Sequence, residues 1–269
     1  MFREKEIMDL GLKDKLVLIT ASSKGLGKAT ALEFAKEGAT VIITSRNEEN
    51  LKKTALEIKN ITHANVSYYL CDLTKAEDID NLFNNIAKQF NGVDILINNT
   101  GGPKFGNFDN ITDKDWQAAF DLILLSMVRC IRNALPYMRK QHFGRIINFA
   151  SSSFKEPIKN LILSNTFRTG ILGLAKSLAI ELAPFNILIN TIGPGRILTE
   201  RVEELDLEFA KKSGLLHDEV RKKFIESIPL GRYGTPDELA RVALFLGSSA
   251  NTFMTGQAIL VDGGLVKSI

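Results

Sequence analysis

The sequence predicts an α/β fold, a doubly wound parallel sheet of about seven strands with helices on both faces, and three observations carry that reading. Short runs rich in β-branched residues recur at wide intervals, helical patterns long enough for crossovers lie between them, and the two kinds alternate from end to end. The strand segments are Lys15–Thr20, Thr40–Thr44, Val66–Leu70, Val93–Asn98, Arg145–Phe149, Ile187–Asn190 and Ala258–Val261. Most are nearly continuous apolar runs rather than alternating ones. Strands covered on both faces have that pattern, which favours parallel pairing. The helical segments are Gly25–Glu37, Glu48–Asn60, Ala76–Phe90, Asp113–Arg139, Ser164–Leu182 and Pro236–Leu246. Each is long enough to return the chain to the same edge of a sheet.

Nothing divides the chain. Its 269 residues, 45% hydrophobic and 24% charged, have an ordinary globular composition. No linker, low-complexity stretch or solenoid repeat interrupts them, so residues 1–269 read as one domain. Two segments fall outside the alternation. Met1–Leu12 is a polar leader in which little order is expected, and Met8 is a second potential start. From 199 to 229 the chain is long and charged (Glu203, Glu204, Asp206, Glu208, Lys211, Lys212), with apolar residues at helical spacing. An insertion there, at the carboxyl edge of a sheet, would act as a lid.

Composition also removes several function classes. A formal charge of +3, evenly spread, leaves no footprint for nucleic acid. No apolar run reaches the roughly 18 residues that cross a bilayer, and the N-terminal stretch is charged, so a cytoplasmic protein without a membrane partner is the default. Cys71 and Cys130 stand far apart in apolar surroundings and read as buried thiols. His63, His142 and His217 lack ligand spacing, which leaves them on the surface and no metal site to propose.

The chemistry begins at Leu16–Thr30, a strand, a tight turn and a helix start. Gly25 and Gly27 allow the backbone to approach a pyrophosphate, whose charge meets free N–H groups and the positive helix end. The general G-x-G-x-x-G fingerprint is met only in part, because its third glycine would fall on Thr30. At the end of the second strand an acidic residue would hold the adenosine ribose hydroxyls and repel a 2′-phosphate. This chain instead has Ser45-Arg46, which favours NADP(H) over NAD(H).

Over nearly its whole length the chain resembles the short-chain dehydrogenase/reductase family. That family's T-G-x-x-x-G-x-G turn is matched from Thr20 through Ser22, Ser23, Lys24, Gly25 and Leu26 to Gly27, except at Ala21. Cys71-Asp72-Leu73-Thr74 resembles its adenine-contacting segment, and Asn98-Asn99-Thr100-Gly101 its N-N-A-G element beside the adenosine ribose. Pro194-Gly195 with Thr199 is similar to the P-G-x-x-x-T segment over the nicotinamide, and Gly256–Gly264 to the last strand and its exit turn. Lys24 stands where NADP-preferring members are also basic. The resemblance implies a Rossmann-type fold, a small-molecule carbonyl or alcohol substrate (3-oxoacyl, sugar or similar) and a homotetramer or homodimer.

The family's proton relay is only partly present. It uses a Tyr whose pKa is lowered by a Lys four residues on, a Ser about thirteen residues earlier, and an upstream Asn. Ser151 occupies the Ser position, but the Tyr position holds Ser164, the Lys position Arg168 and the Asn position Ile123. A serine hydroxyl is too weak an acid to replace a tuned phenol, and a permanently protonated guanidinium cannot shuttle a proton. Ser164 and Arg168, one turn apart on a helix face, are therefore open to catalysis, to substrate or ribose binding, or to a structural role. Lys155 or a bound water would be the proton source. Asn165 is open to a cofactor contact or a helix-start role, Trp116 reads as core, and Gly101-Gly102-Pro103 as a turn. Two functions follow: an atypical NADP(H)-dependent oxidoreductase, or a catalytically inactive dinucleotide-binding or sensing protein.

Overall fold

The structure, a computed structural model, describes residues 9–268. All seven strands are parallel: β1 (Leu16–Ile19), β2 (Thr40–Ser45), β3 (Val66–Leu70), β4 (Ile95–Asn98), β5 (Gly144–Phe149), β6 (Ile187–Pro194) and β7 (Ala258–Val261), in spatial order β3-β2-β1-β4-β5-β6-β7. The order reverses at β1, whose neighbours are β2 on one side and β4 on the other. Crossovers leave the two sides in opposite directions there, and a crevice opens at the carboxyl ends of the strands.

Both faces of the central strands are apolar because both are covered. Val17, Ile19, Val41, Ile43, Ile95 and Ile97 face one way, under α1 (Gly25–Lys36), α2 (Glu48–Thr62) and, nearer the chain end, α9 (Pro236–Gly247). Leu18, Ile42, Leu96, Ile146 and Ile189 face the other, under α3 (Ala76–Phe90), α5 (Ser126–Gln141) and the far half of α6 (Ile162–Leu182). A third cluster of Ile123, Met127, Ala150, Leu163 and Ile171 packs the near half of α6 against α5. On the α5 and α6 side, residues toward the carboxyl ends of the strands form a polar row. Asn98 lies opposite Asn148 and Asn148 opposite Thr191, while Thr20 and Thr44 continue the β1–β2 register. Asn98 donates to Asn148 at 2.9 Å, yet Thr44 Oγ1, Asn98 Oδ1, Asn148 Nδ2 and Thr191 Oγ1 remain unpaired.

Three expectations are corrected. The predicted helix Asp113–Arg139 is α4 (Asp113–Ala119), a wide π turn at Phe120–Leu125, and α5. One extra residue in the turn shifts the apolar stripe from one packing partner to another without ending the helix. Of the leader, residues 1–8 lie outside the described residues, but Leu12 is buried and Leu10 packs on the core with its carbonyl accepting from Ser249 N–H at 2.9 Å. His217 is half-buried within 3.3 Å of Glu203, whereas His63 and His142 are exposed and end α2 and α5 in left-handed conformations. Among the described residues no helix is long and apolar enough to cross a membrane.

Helices α1 and α9 meet where the Phe34 ring lies on Gly247, whose missing Cβ would stand 2.7 Å from that ring. Phe34 is fully buried. Phe34→Ala is expected to cost about 3–5 kcal/mol of stability, read as a lower urea midpoint at constant slope.

Candidate active site

A cleft of about 860 Å³ runs along the carboxyl edge from the ends of β2 and β3 to the start of α6. Its floor is the turn after β1. The turn is fastened on both sides: Ser22 Oγ donates to Ile19 O (2.7 Å) and accepts from Thr44 N–H (3.0 Å), and Thr20 Oγ1 donates to Asn99 O (2.7 Å) and accepts from Asn99 N–H (2.8 Å). Asn99 Nδ2 donates to Ala21 O at 3.0 Å. These bonds hold Ala21 at φ +46°, a left-handed conformation that costs a residue with a Cβ about 1–2 kcal/mol. The family's glycine at this position would avoid that cost.

Gly25 has φ +58°, and a Cβ on Gly27 would stand 2.7 Å from Ser22 Cα. The start of α1 therefore packs directly on the turn. Lys24 precedes α1 without a side-chain cap, and no acid lies in the first turn, so the helix offers its free N–H groups to the cleft. Ser23, Lys24, Gly25 and Leu26 line the cleft. Thr20, Ser22 and Gly27 lie buried behind them, where Thr20 and Ser22 bond within the turn and hold it in shape.

At the end formed by β2 and β3 the wall carries Arg46, Asp72 and Leu73. Burial acts to raise the Asp72 pKa, but the N–H and hydroxyl of Thr74 and the nearby cations Arg46 and Lys75 outweigh it and hold the carboxyl below its ordinary value. Cys71 also lines this end. Burial, with Asp78 and Asp72 adding to it, pushes its thiol up to about 12, so it is an unreactive wall. Asn99, Thr100 and Gly101 follow β4 along the floor, and Pro194 and Gly195 close the opposite side. A Cβ on Gly195 would stand 2.5 Å from Asp262 Cβ.

The 199–229 segment is a helical hairpin, α7 (Glu200–Ser213) and α8 (His217–Ser227). Thr199 caps α7 and lines the cleft. The hairpin is tied down by Asp206, fully buried, which pairs with Arg196 and accepts from Tyr233 Oη at 2.7 Å. The Arg196 guanidinium lies 3.2 Å from the centre of the Phe224 ring. At its mouth Glu200 pairs with Lys24, and Arg201 donates to Pro103 O at 3.0 Å across Gly102, where a Cβ would meet Arg201 Nε at 2.7 Å.

At the other end the structure brings Ser151, Ser164 and Arg168 together on the wall. Ser151 accepts from Ser153 N–H at 3.2 Å. Arg168 is 7% exposed and donates to Phe149 O at 2.9 Å. Burial, assisted by the charge of Arg201, pulls its pKa down to about 10, so it remains a cation at neutral pH. Ile123 sits in the apolar cluster. Lys155 is exposed and off the cleft, which corrects its assignment as a proton source; Lys159 lines the cleft instead. Asn165 braces the preceding loop by two bonds to Ile158 (3.0 and 3.2 Å), and its amide is spent there rather than in the cleft. Trp116 packs edge-on against Phe167 at 5.7 Å, beside the third cluster. Sequence reasoning missed Phe105, Lys159, Arg201, Leu205, Phe209 and Phe224, all on the wall. The four-residue spacing of Leu205 and Phe209 was the available signal.

A parallel sheet with this order, a glycine turn at the reversal and a helical hairpin lining the crevice define a dinucleotide-binding α/β protein. The family model described as enoyl-(acyl carrier protein) reductase matches residues 20–266. The chain is 36% identical to a 3-oxoacyl-(acyl-carrier-protein) reductase of Aquifex aeolicus, over 96% of this chain and 100% of that one. It is 31% identical to the NADPH-dependent reductase BacG of Bacillus subtilis, over 96% and 100%. The crystal structure of L-sorbose reductase from Gluconobacter frateurii complexed with NADPH and L-sorbose superposes with a TM-score of 0.92 at 32% identity, covering 97% of this chain and 100% of that one. The chain belongs to the short-chain dehydrogenase/reductase family.

Removing the lid's anchor should release it. Asp206→Ala is expected to cost about 3–5 kcal/mol, since it leaves Arg196 charged and unpaired. Limited proteolysis should then cut within 199–229 first.

Proposed function

We propose that this chain is an NADP(H)-dependent oxidoreductase acting on a carbonyl or alcohol substrate. The carrying observation is one continuous cleft that joins an uncapped helix start flanked by Lys24 and Arg46 to the polar group of Ser151, Ser164 and Arg168. The residues fit the cofactor. The backbone of Ser23–Leu26 suits a pyrophosphate, Lys24 and Arg46 suit a 2′-phosphate, Asp72 and Leu73 the adenine, Asn99, Thr100 and Gly101 the adjoining ribose, and Pro194, Gly195 and Thr199 the nicotinamide. NADPH, when bound, supplies the hydride.

The chain's own groups then act on the carbonyl oxygen. Ser151 and Ser164 each have a hydroxyl to donate, and Arg168 has four further N–H groups beyond the one given to Phe149 O. Together they stabilise negative charge as it develops on that oxygen. None of the three is an acid tuned to neutral pH, so the proton comes from solvent after the charge has been stabilised. Replacement of the family's Tyr and Lys also supports a second reading, a dinucleotide-binding or sensing protein without turnover. The proposal further includes a cytoplasmic homotetramer or homodimer that binds neither nucleic acid nor membrane. Ile180 and Phe253, 80% and 96% exposed, are apolar surface suited to assembly.

NADPH should bind more tightly than NADH by on the order of tenfold or more, the worth of one charged hydrogen bond, and Arg46→Asp should erase the difference. Equal affinities in the wild type would remove the cofactor assignment. Against a carbonyl panel, Ser151→Ala should lower kcat by about tenfold to a hundredfold, as loss of one oxyanion donor does. A folded protein that binds NADPH and reduces nothing supports the sensing reading. Burial lowers the Arg168 pKa without bringing it near neutrality, so Arg168 stays a cation and kcat/KM should show no ionisation of this group across neutral pH, as a pH profile compared with that of Arg168→Lys would show.

A further inference from the structure

Toward α6 and α7 the cleft wall carries Lys159, Arg168, Arg196 and Arg201 against Glu204, and of these cations Arg196 is already paired with the buried Asp206. The other acids of the wall are engaged elsewhere, Asp72 with Thr74 and Glu200 with Lys24. Glu204 lies one helical turn from Arg201 on α7, 59% exposed, and takes one N–H of that guanidinium at 3.2 Å. Among the described residues neither Arg168 nor Lys159 has an acidic partner.

A guanidinium as buried as Arg168 is costly to keep charged without a counter-ion. Arg168 has only the Phe149 carbonyl, and Arg201, which lines the same cleft, adds a like charge that lowers the Arg168 pKa further. The two cations sit on different elements, α6 and α7, and both line the cleft. An anion placed between them offsets both the desolvation of Arg168 and the like charge of Arg201. The surrounding wall is apolar, with Phe105, Ile158, Leu161, Leu205 and Phe209.

We infer that the substrate is a carboxylate-bearing carbonyl compound with an apolar body, its carboxylate held between Arg168 and Arg201 while the lid closes over it. The planar forks of two guanidinium groups match a carboxylate, and Lys159 adds charge at the same wall. The identity of the bound species as substrate rests on the oxidoreductase reading; the anion site itself does not.

The test uses the NADPH-loaded protein and two probes that accept no hydride, hexanoate and hexanamide, followed by calorimetry. Hexanoate should bind tighter by on the order of tenfold or more, the range for a charged hydrogen bond. Arg201→Gln should abolish that preference and Arg201→Lys restore part of it. Equal binding of the two probes, or a preference that survives Arg201→Gln, overturns the inference. In the turnover arm a medium-chain oxo acid should be reduced with a lower KM than its methyl ester, and Arg201→Gln should raise KM for the acid far more than for the ester. Equal KM values for acid and ester also overturn the inference. Carboxylate preference without turnover of any carbonyl would sustain the anion site and defeat the oxidoreductase reading instead.

Discussion

The cleft depends on the hydrogen bonds that tie the carboxyl ends of β1, β2 and β4 to one another. Thr20 and Asn99 exchange bonds across the point where strand order reverses, and Ser22 joins the turn to Thr44 on the other side. A parallel sheet opens a crevice at this point in any case, but these bonds fix its floor to a single shape. They also maintain the left-handed conformation of Ala21, which the residue's own sterics oppose. With the floor fixed, Gly27 can bring α1 down onto the turn with its first N–H groups facing outward, and the rest of the wall is arranged around that helix start.

The fold was legible because its signals are local and repeated. Val66–Leu70, Ala76–Phe90 and Ala258–Val261 have the expected boundaries, since turn residues or caps bracket each apolar run. The π turn at Phe120–Leu125 was not legible, because it alters the helical period by one residue without any Gly or Pro to mark it. The site was legible where backbone shape dictates residue type, as at Gly25 and Gly195. It was less so where side chains from distant segments converge. Arg201 meets the loop at Gly102 only through folding of the lid, and Lys159 joins the wall instead of Lys155 through the path of a short loop. Thr20 and Ser22 show the reverse case: polar residues in a binding motif that serve the loop's geometry.

In the proposed oxidoreductase, Ser164 and Arg168 in place of a Tyr and Lys would change the kind of catalysis available rather than merely weaken it. A phenol beside an ammonium can give up a proton and recover it. Two serine hydroxyls and a buried guanidinium can only hold charge, though in a low-dielectric site they hold it well. Burial of Arg168 in this arrangement makes net charge, not proton affinity, the property that distinguishes this end of the cleft.

The polar row across the strand ends gives the sheet an electrical grading along its length. Below it, on the α5 and α6 side, Leu18, Ile42, Leu96, Ile146 and Ile189 form hydrocarbon with almost nothing to polarise. At the row itself, Thr20, Thr44, Asn98, Asn148 and Thr191 bring five side-chain dipoles to one level, and four of their polar atoms are uncommitted. Dipoles with spare bonding capacity can turn toward a charge placed above them. The lower half of the sheet thus acts as an insulator, and its upper edge as a polarisable floor beneath the cleft.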